Sequence, residues 1–174
     1  MITLLPFVPV AALLLLAPVL QDPAKEAMRQ RIAAAVAATG LNHEKSPSGL
    51  SHVLTYDHDG GRRQRIYVAS DAGTAGPRQT VTVYTTVWGS TEAPSSELLR
   101  KVFSSPKKFG SFYLFVDSKG VSSIRFSVQV DITALPEQPT KSDPCVVALR
   151  SMIEFVNIVG EQTDKELNGA RDAG

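Results

Sequence analysis

Residues 111–132 read SFYLFVDSKGVSSIRFSVQVDI, and this stretch has the clearest periodicity in the chain. Apolar side chains occupy every second position over residues 124–132, with polar side chains between them. A period of two is that of a β-strand with one buried face. Phe112, Leu114 and Val116 have the same two-residue spacing. Between the two segments, residues 117–120, Asp-Ser-Lys-Gly, form a turn sequence. The stretch therefore predicts a β-hairpin.

Three further strands precede this hairpin, because the same period of two recurs over residues 50–56, 65–69 and 80–88. The first two are joined by the turn sequence of residues 57–61, Asp-His-Asp-Gly-Gly. Residues 42–49 and 70–77 are predicted loops. On the first strand, one face is expected to carry Leu50, His52, Leu54 and Tyr56.

Three segments instead space their apolar residues three or four apart, as helices do. The first covers residues 22–39, opens with the capping pair Asp22-Pro23 and stops before Gly40. The second has Pro94 and Glu97 in its first turn and ends at Pro106. The third is expected to run from residue 143 to about residue 160. The order of elements is then α-β-β-β-α-β-β-α.

This order predicts an α+β fold in which helices pack on an antiparallel sheet of about five strands. One domain is expected over residues 22–162, followed by a flexible tail at 163–174. The closing helix carries more apolar surface than one buried stripe requires. Its additional apolar residues are a candidate interface with helices or a second subunit: Val147, Phe155 and Ile158.

The composition excludes several classes of protein and of site. A net charge of +1 with 20% charged residues excludes a strongly basic nucleic-acid-binding protein. The single cysteine, Cys145, excludes both an internal disulfide and a cysteine-rich metal site. We expect no cofactor and no nucleic acid as a partner.

Residues 1–21 are predicted to be a signal segment. Residues 2–20 contain no charged side chain, and the polar sequence QDPAKE follows directly. Pro6 and Pro9 leave an apolar core of about eight residues, well short of the ~20 of a spanning helix. We expect a periplasmic or secreted protein, which contacts the membrane only if the segment stays uncleaved. Fractionation of cells that make the full chain or a version starting at Asp22 tests this: equal cytoplasmic retention would contradict export.

No catalytic or metal-binding constellation is apparent. His52 and His58 are six residues apart on one predicted strand, about 20 Å at the strand rise, too far to share a metal ion. Ser51 lies in a Gly-Leu-Ser-His-Val sequence that lacks the second glycine of a hydrolase elbow. Cys145 is more simply a small buried thiol than a reactive one, since Asp143 opposes its thiolate. We therefore expect no enzyme activity.

The polar faces of the strands supply a candidate binding surface. Aromatic residues interleaved with arginines suit an anionic or planar ligand, while a solvated sheet face is the simpler interpretation. For an exported chain, a peptide or protein is the better partner. The candidate residues are Arg63, Arg65, Tyr67, Tyr84, Trp88, Tyr113 and Arg125.

The second half of the chain resembles a known family in three features. These are the helix ELLRKVFSSPKKFG at 97–110, the hairpin SFYLFVDSKGVSSIRFSVQVD at 111–131 and the long closing helix. Together they resemble the YbjN family of bacterial sensory transduction regulators, whose fold is similar to that of class I type III secretion chaperones. The resemblance implies protein binding, chaperone-like activity or a regulatory role, with no catalytic residues and often a homodimer.

Two function classes remain. The first is a non-enzymatic module, exported, that binds another polypeptide. The second is a carrier of a small apolar or anionic ligand in the cell envelope, which needs a cavity lined by Trp88, Tyr84 and arginines.

Overall fold

The computed structural model describes residues 22–104 and 109–168. The predicted signal segment at 1–21, Pro106 and the end of the predicted tail at 169–174 lie outside the described residues. The described chain forms an α+β fold with three α-helices and a seven-stranded antiparallel sheet. None of its helices is long and apolar enough to cross a membrane.

The helices are α1 (Pro23–Ala38), α2 (Ser96–Phe103) and α3 (Pro144–Asn168). The strands are β1 (Glu44–Lys45), β2 (Ser51–Asp57), β3 (Arg63–Ala69), β4 (Gly73–Ala75), β5 (Arg78–Ser90), β6 (Ser111–Val116) and β7 (Ser122–Asp131). Their order in the sheet is β1-β2-β3-β5-β7-β6, and β4 pairs with one end of β5. The β6–β7 hairpin confirms the periodicity of residues 111–132, and its turn is held by Asp117, whose side chain accepts from Lys119 and Val121.

Local capping explains where the first two helices begin. The Asp22 carboxylate accepts a hydrogen bond from the Ala24 backbone N–H at 3.0 Å, as predicted for the start of α1. The Ser95 hydroxyl accepts from the Leu98 N–H at 3.1 Å, so α2 begins after Pro94 rather than at it. Helix α1 ends at Ala38, and the chain leaves it through Gly40, whose φ of +75° is the left-handed conformation that glycine adopts most easily.

All three helices contribute to one core on a single face of the sheet. Alternate residues of β3, β5 and β7 are buried there, where α3 covers them and α1 packs against α3. The largest fully buried side chain is Phe126, on β7. Because the buried set follows the period of two in the sequence, the opposite face carries mostly polar and aromatic side chains.

Two strands, β1 and β4, lie in segments predicted to be loops. Both are short and fully exposed, so neither carries the apolar alternation that marks a half-buried strand. Leu50 was also misplaced: it precedes β2 and is exposed, whereas His52, Leu54 and Tyr56 lie on the helix side. With β1 and β4 included, the sheet of the described chain has seven strands, so the predicted count of about five was too low.

Helix α3 continues eight residues beyond Gly160, into the predicted tail. An ion pair between Glu161 and Lys165, 2.7 Å apart, and the buried Thr163 stabilise this extension. Gly160 lets the helix approach the sheet closely, since a Cβ there would lie only 2.8 Å from Cγ2 of Thr85. The helix therefore runs six residues past residue 162, where the domain was predicted to end.

The candidate interface on α3 divides into two environments. Phe155 packs against the core, with its ring centroid 6.0 Å from that of Phe126. Val147 and Ile158 are instead half-exposed, at 50% and 52%. They are three turns apart with the exposed Ser151 and Glu154 between them, so the three predicted residues do not form one apolar patch.

Candidate binding surface

A row of stacked side chains crosses the sheet face that points away from the helices. Tyr67 on β3 lies directly opposite Tyr84 on β5, and their rings stack with centroids 5.0 Å apart and planes 12° apart. Side chains opposite each other on neighbouring antiparallel strands stabilise the pairing. Two of the predicted surface residues are therefore in contact.

Arg125 on β7 continues this row. Its guanidinium carbon lies 3.7 Å from the ring centroid of Phe115 and 5.2 Å from that of Tyr84, both within the range of a cation–π contact. Its register partner on β6 is Tyr113. We call Tyr67, Tyr84, Arg125, Tyr113 and Phe115 the aromatic row.

Burial affects two polar groups of the aromatic row, the guanidinium of Arg125 and the phenol of Tyr84. The Nε atom of Arg125 is buried and has no hydrogen-bond partner within the described residues. Burial also raises the pKa of Tyr84, with the charge of Arg125 acting in the opposite direction, so the phenol is neutral near pH 7. A buried donor without a partner is unusual in proteins, and an acceptor brought by a ligand would satisfy it.

Arg63 and Arg65 lie beside the aromatic row rather than in it. Arg63 donates to the carboxylate of Asp57 at 2.9 Å, in a pair that is largely exposed and contributes little stability. With Tyr67, Thr86 and others, the two arginines line an open cavity of about 350 Å³. Both side chains are exposed and accessible to a partner.

Trp88 does not belong to this surface, and its predicted placement was wrong. A β-bulge between Thr86 and Trp88 adds one residue to β5, so Trp88 pairs with Ile124 and packs against the helix-side core. Tyr84 lies on the other face. The two therefore cannot line one cavity, as the carrier hypothesis requires.

Among the described residues, strand β6 forms one edge of the sheet and pairs with β7 alone. Its sequence, SFYLFV, has apolar or aromatic residues on both faces. Tyr113 and Phe115 belong to the aromatic row, whereas Phe112, Leu114 and Val116 lie on the helix side. Leu114 and Val116 are nevertheless 44% and 56% exposed, because the helices do not cover this end of the sheet.

Phe115 was not among the surface residues predicted from the sequence, and the position of β6 at the edge of the sheet was not predicted either. The alternation places Phe115 on the same face as Tyr113, which was a usable signal. The position of β6 in the sheet order was not readable, since a period of two reports which side chains are buried and not which strand lies beside which.

The remaining candidates occupy separate places. His58 contacts Glu161 at 3.3 Å and Asn157 at 3.2 Å, which ties the β2–β3 turn to α3. His52 is buried on the helix side, Ser51 is buried and Cys145 is half-buried. Within residues 22–104 and 109–168, no group of three or more His, Cys, Asp or Glu side chains could hold a metal ion.

A scan against protein-family models finds no family that matches this sequence, and a search of curated proteins finds no matching relative.

Proposed function

We propose that the protein is a non-enzymatic module that binds an extended segment of another polypeptide along the free edge of β6. The observation that carries this proposal is the composition of that edge. Its six residues contain no charged residue and no proline, two features with which proteins normally block an exposed edge strand. An unblocked edge is a template for an added strand.

The side chains of β6 would add to the backbone hydrogen bonds. Leu114 and Val116 flank the edge on the helix side, and covering the exposed half of each contributes about 1 kcal/mol. On the opposite face, a neighbouring strand would lie beside Tyr113, next to Arg125, whose Nε has no hydrogen-bond partner within the described residues. The partner best matched to this edge has apolar residues at alternate positions.

The length of the edge favours a peptide segment over a second copy of the chain. Six residues span about 20 Å. A single strand pairing of that length would bury less surface than the ~1,200–2,000 Å² that a stable dimer interface buries. The resemblance to the YbjN family supports the same class of function, since it implies protein binding with chaperone-like or regulatory consequences. The signal segment would place that binding in the periplasm or outside the cell.

A lysine at the edge of β6 is expected to weaken peptide binding. The probes are fluorescent ten-residue peptides with Val or Phe at alternate positions, and the readout is anisotropy. Val116→Lys places a charge where the added strand would lie and is expected to raise the dissociation constant about tenfold or more, a cost of about 1.4 kcal/mol. Leu114→Lys tests the same edge one pair further along.

Val147→Lys is the matched control, because Val147 is equally exposed but lies on α3. It is expected to bind the peptides like the unsubstituted protein. Equal weakening by Val147→Lys, or no saturable binding by any peptide, would contradict the proposal. Sedimentation velocity over a range of protein concentrations identifies the other outcome, in which β6 pairs with β6 of a second copy.

A further inference from the structure

A second, unrelated cavity lies at the opposite end of the sheet, between α1 and the β1–β2 edge. Its volume is about 200 Å³. Polar and charged side chains from three elements line it, namely Glu26, Arg29 and Gln30 from α1, Lys45 from β1 and His52 from β2, together with Ser70.

His52 is the unusual member of this lining. It is only 2% exposed, and its Nδ1 atom is buried without a hydrogen-bond partner within the described residues. Its ring contacts that of His43, with centroids 5.5 Å apart. A buried ring nitrogen without a partner is costly, and such groups are commonly explained by a role in binding.

The charges around the cavity leave a cationic excess. Arg29 is held by Asp71, with Nε to Oδ1 at 2.5 Å, and it lies 3.6 Å from Glu26. Lys25 also pairs with Asp71, at 3.1 Å. The carboxylates of Asp71 and Glu26 are thus balanced by two cations, those of Arg29 and Lys25. Lys45, in contrast, makes no ion pair within the described part of the chain.

We propose that this cavity binds a small oxyanion, a carboxylate or phosphate group, between Lys45 and His52. Lys45 is the register partner of His52 on the neighbouring strand, so the two side chains lie on the same side of the sheet. The Lys45 ammonium supplies the charge, and the imidazole of His52 supplies an N–H donor. The Ser70 side chain and Gln30 add hydrogen-bonding capacity.

The protonation of His52 gives a direct readout of this binding. Burial lowers the pKa of His52, and the charges of His43 and Lys45 lower it further. An anion beside the ring favours the protonated form and would raise that pKa. The control histidine is His58, which does not line this cavity and is held instead by Glu161 and Asn157.

The experiment titrates the full-length protein with inorganic phosphate and, separately, with acetate at constant ionic strength. The histidine ring signals are followed by NMR and assigned from spectra of His43→Gln and His58→Gln. We expect a saturable shift of the His52 signals and a raised pKa of His52 at saturation, with the His58 signals unchanged. The anion that binds more tightly identifies the ligand class.

Lys45→Gln is expected to weaken this binding about tenfold. Lys119→Gln, an equally conservative change in the exposed β6–β7 turn, is expected to leave it unchanged. The proposal is overturned if neither anion gives a saturable shift of His52, or if Lys45→Gln binds as tightly as the unsubstituted protein. It is also overturned if all histidine signals drift together, since that pattern reports ionic screening.

Discussion

Phe126→Ala is expected to lower the free energy of unfolding by about 3–5 kcal/mol. Phe126 is fully buried on β7, the strand next to the β6 edge, and its ring lies 5.0 Å from that of Phe112 and 6.0 Å from that of Phe155. Removing it leaves a cavity between β7, β6 and α3 that none of these elements can close alone. A domain of this size has a total stability of about 5–15 kcal/mol, so the loss is a large fraction of it.

Urea unfolding followed by circular dichroism measures this loss. Phe103→Ala is the matched control, because Phe103 at the end of α2 is half-exposed, at 47%. Its removal is expected to cost less than about 1 kcal/mol. If the two substitutions gave the same small change, Phe126 would not hold the sheet to α3, and the description of the core would be wrong.

The elements that were predicted correctly are those whose sequence carries a burial pattern. The strands β2, β3, β5, β6 and β7 each alternate because one face meets the core, and α1 has both a stripe and caps. Strands β1 and β4 form only because a neighbouring strand offers backbone partners, and their own side chains stay in water. Nothing in a single sequence marks such pairing.

The binding surface was predicted in part for a related reason. Tyr67, Tyr84, Tyr113 and Arg125 share a face because the alternation is regular up to Thr86. The bulge beyond Thr86 reverses the faces for Trp88, and a bulge has no reliable signal in the local sequence. The cavity between α1 and β2 was missed because Arg29 and Asp71, 42 residues apart, meet only in the folded chain.

The two proposed sites lie at opposite ends of the sheet because the helices cover it unevenly. Helix α3 contacts β3, β5 and β7, and α1 packs against α3 and reaches the β1–β2 end. The short helix α2 leaves the helix side of β6 uncovered, which exposes Leu114 and Val116. Substitutions at such distant sites should act independently. A negative result for peptide binding at β6 would therefore not contradict anion binding in the His52 cavity.

Gly110→Ala is expected to destabilise the protein by roughly 2–5 kcal/mol, through two costs that a matched control separates. Gly110 has a φ of +84°, a left-handed conformation that costs an alanine about 1–2 kcal/mol. A Cβ there would also press against the Ser127 carbonyl oxygen and lie 2.7 Å from Cζ of Phe126. Overpacking of this kind adds about 1–3 kcal/mol, because a strand backbone cannot move aside as a flexible side chain can.

Gly120→Ala provides that control, since Gly120 has nearly the same φ, +80°, but no heavy atom within 4 Å of an added Cβ. It is expected to show the backbone cost alone, so urea unfolding of the two variants yields the cost of the close approach by difference. Because Gly110 directly precedes β6, the close approach fixes where that strand begins against β7. Equal destabilisation by both substitutions would mean that β6 is not seated tightly on β7 at this end, and the edge available to a partner would then differ from the one described.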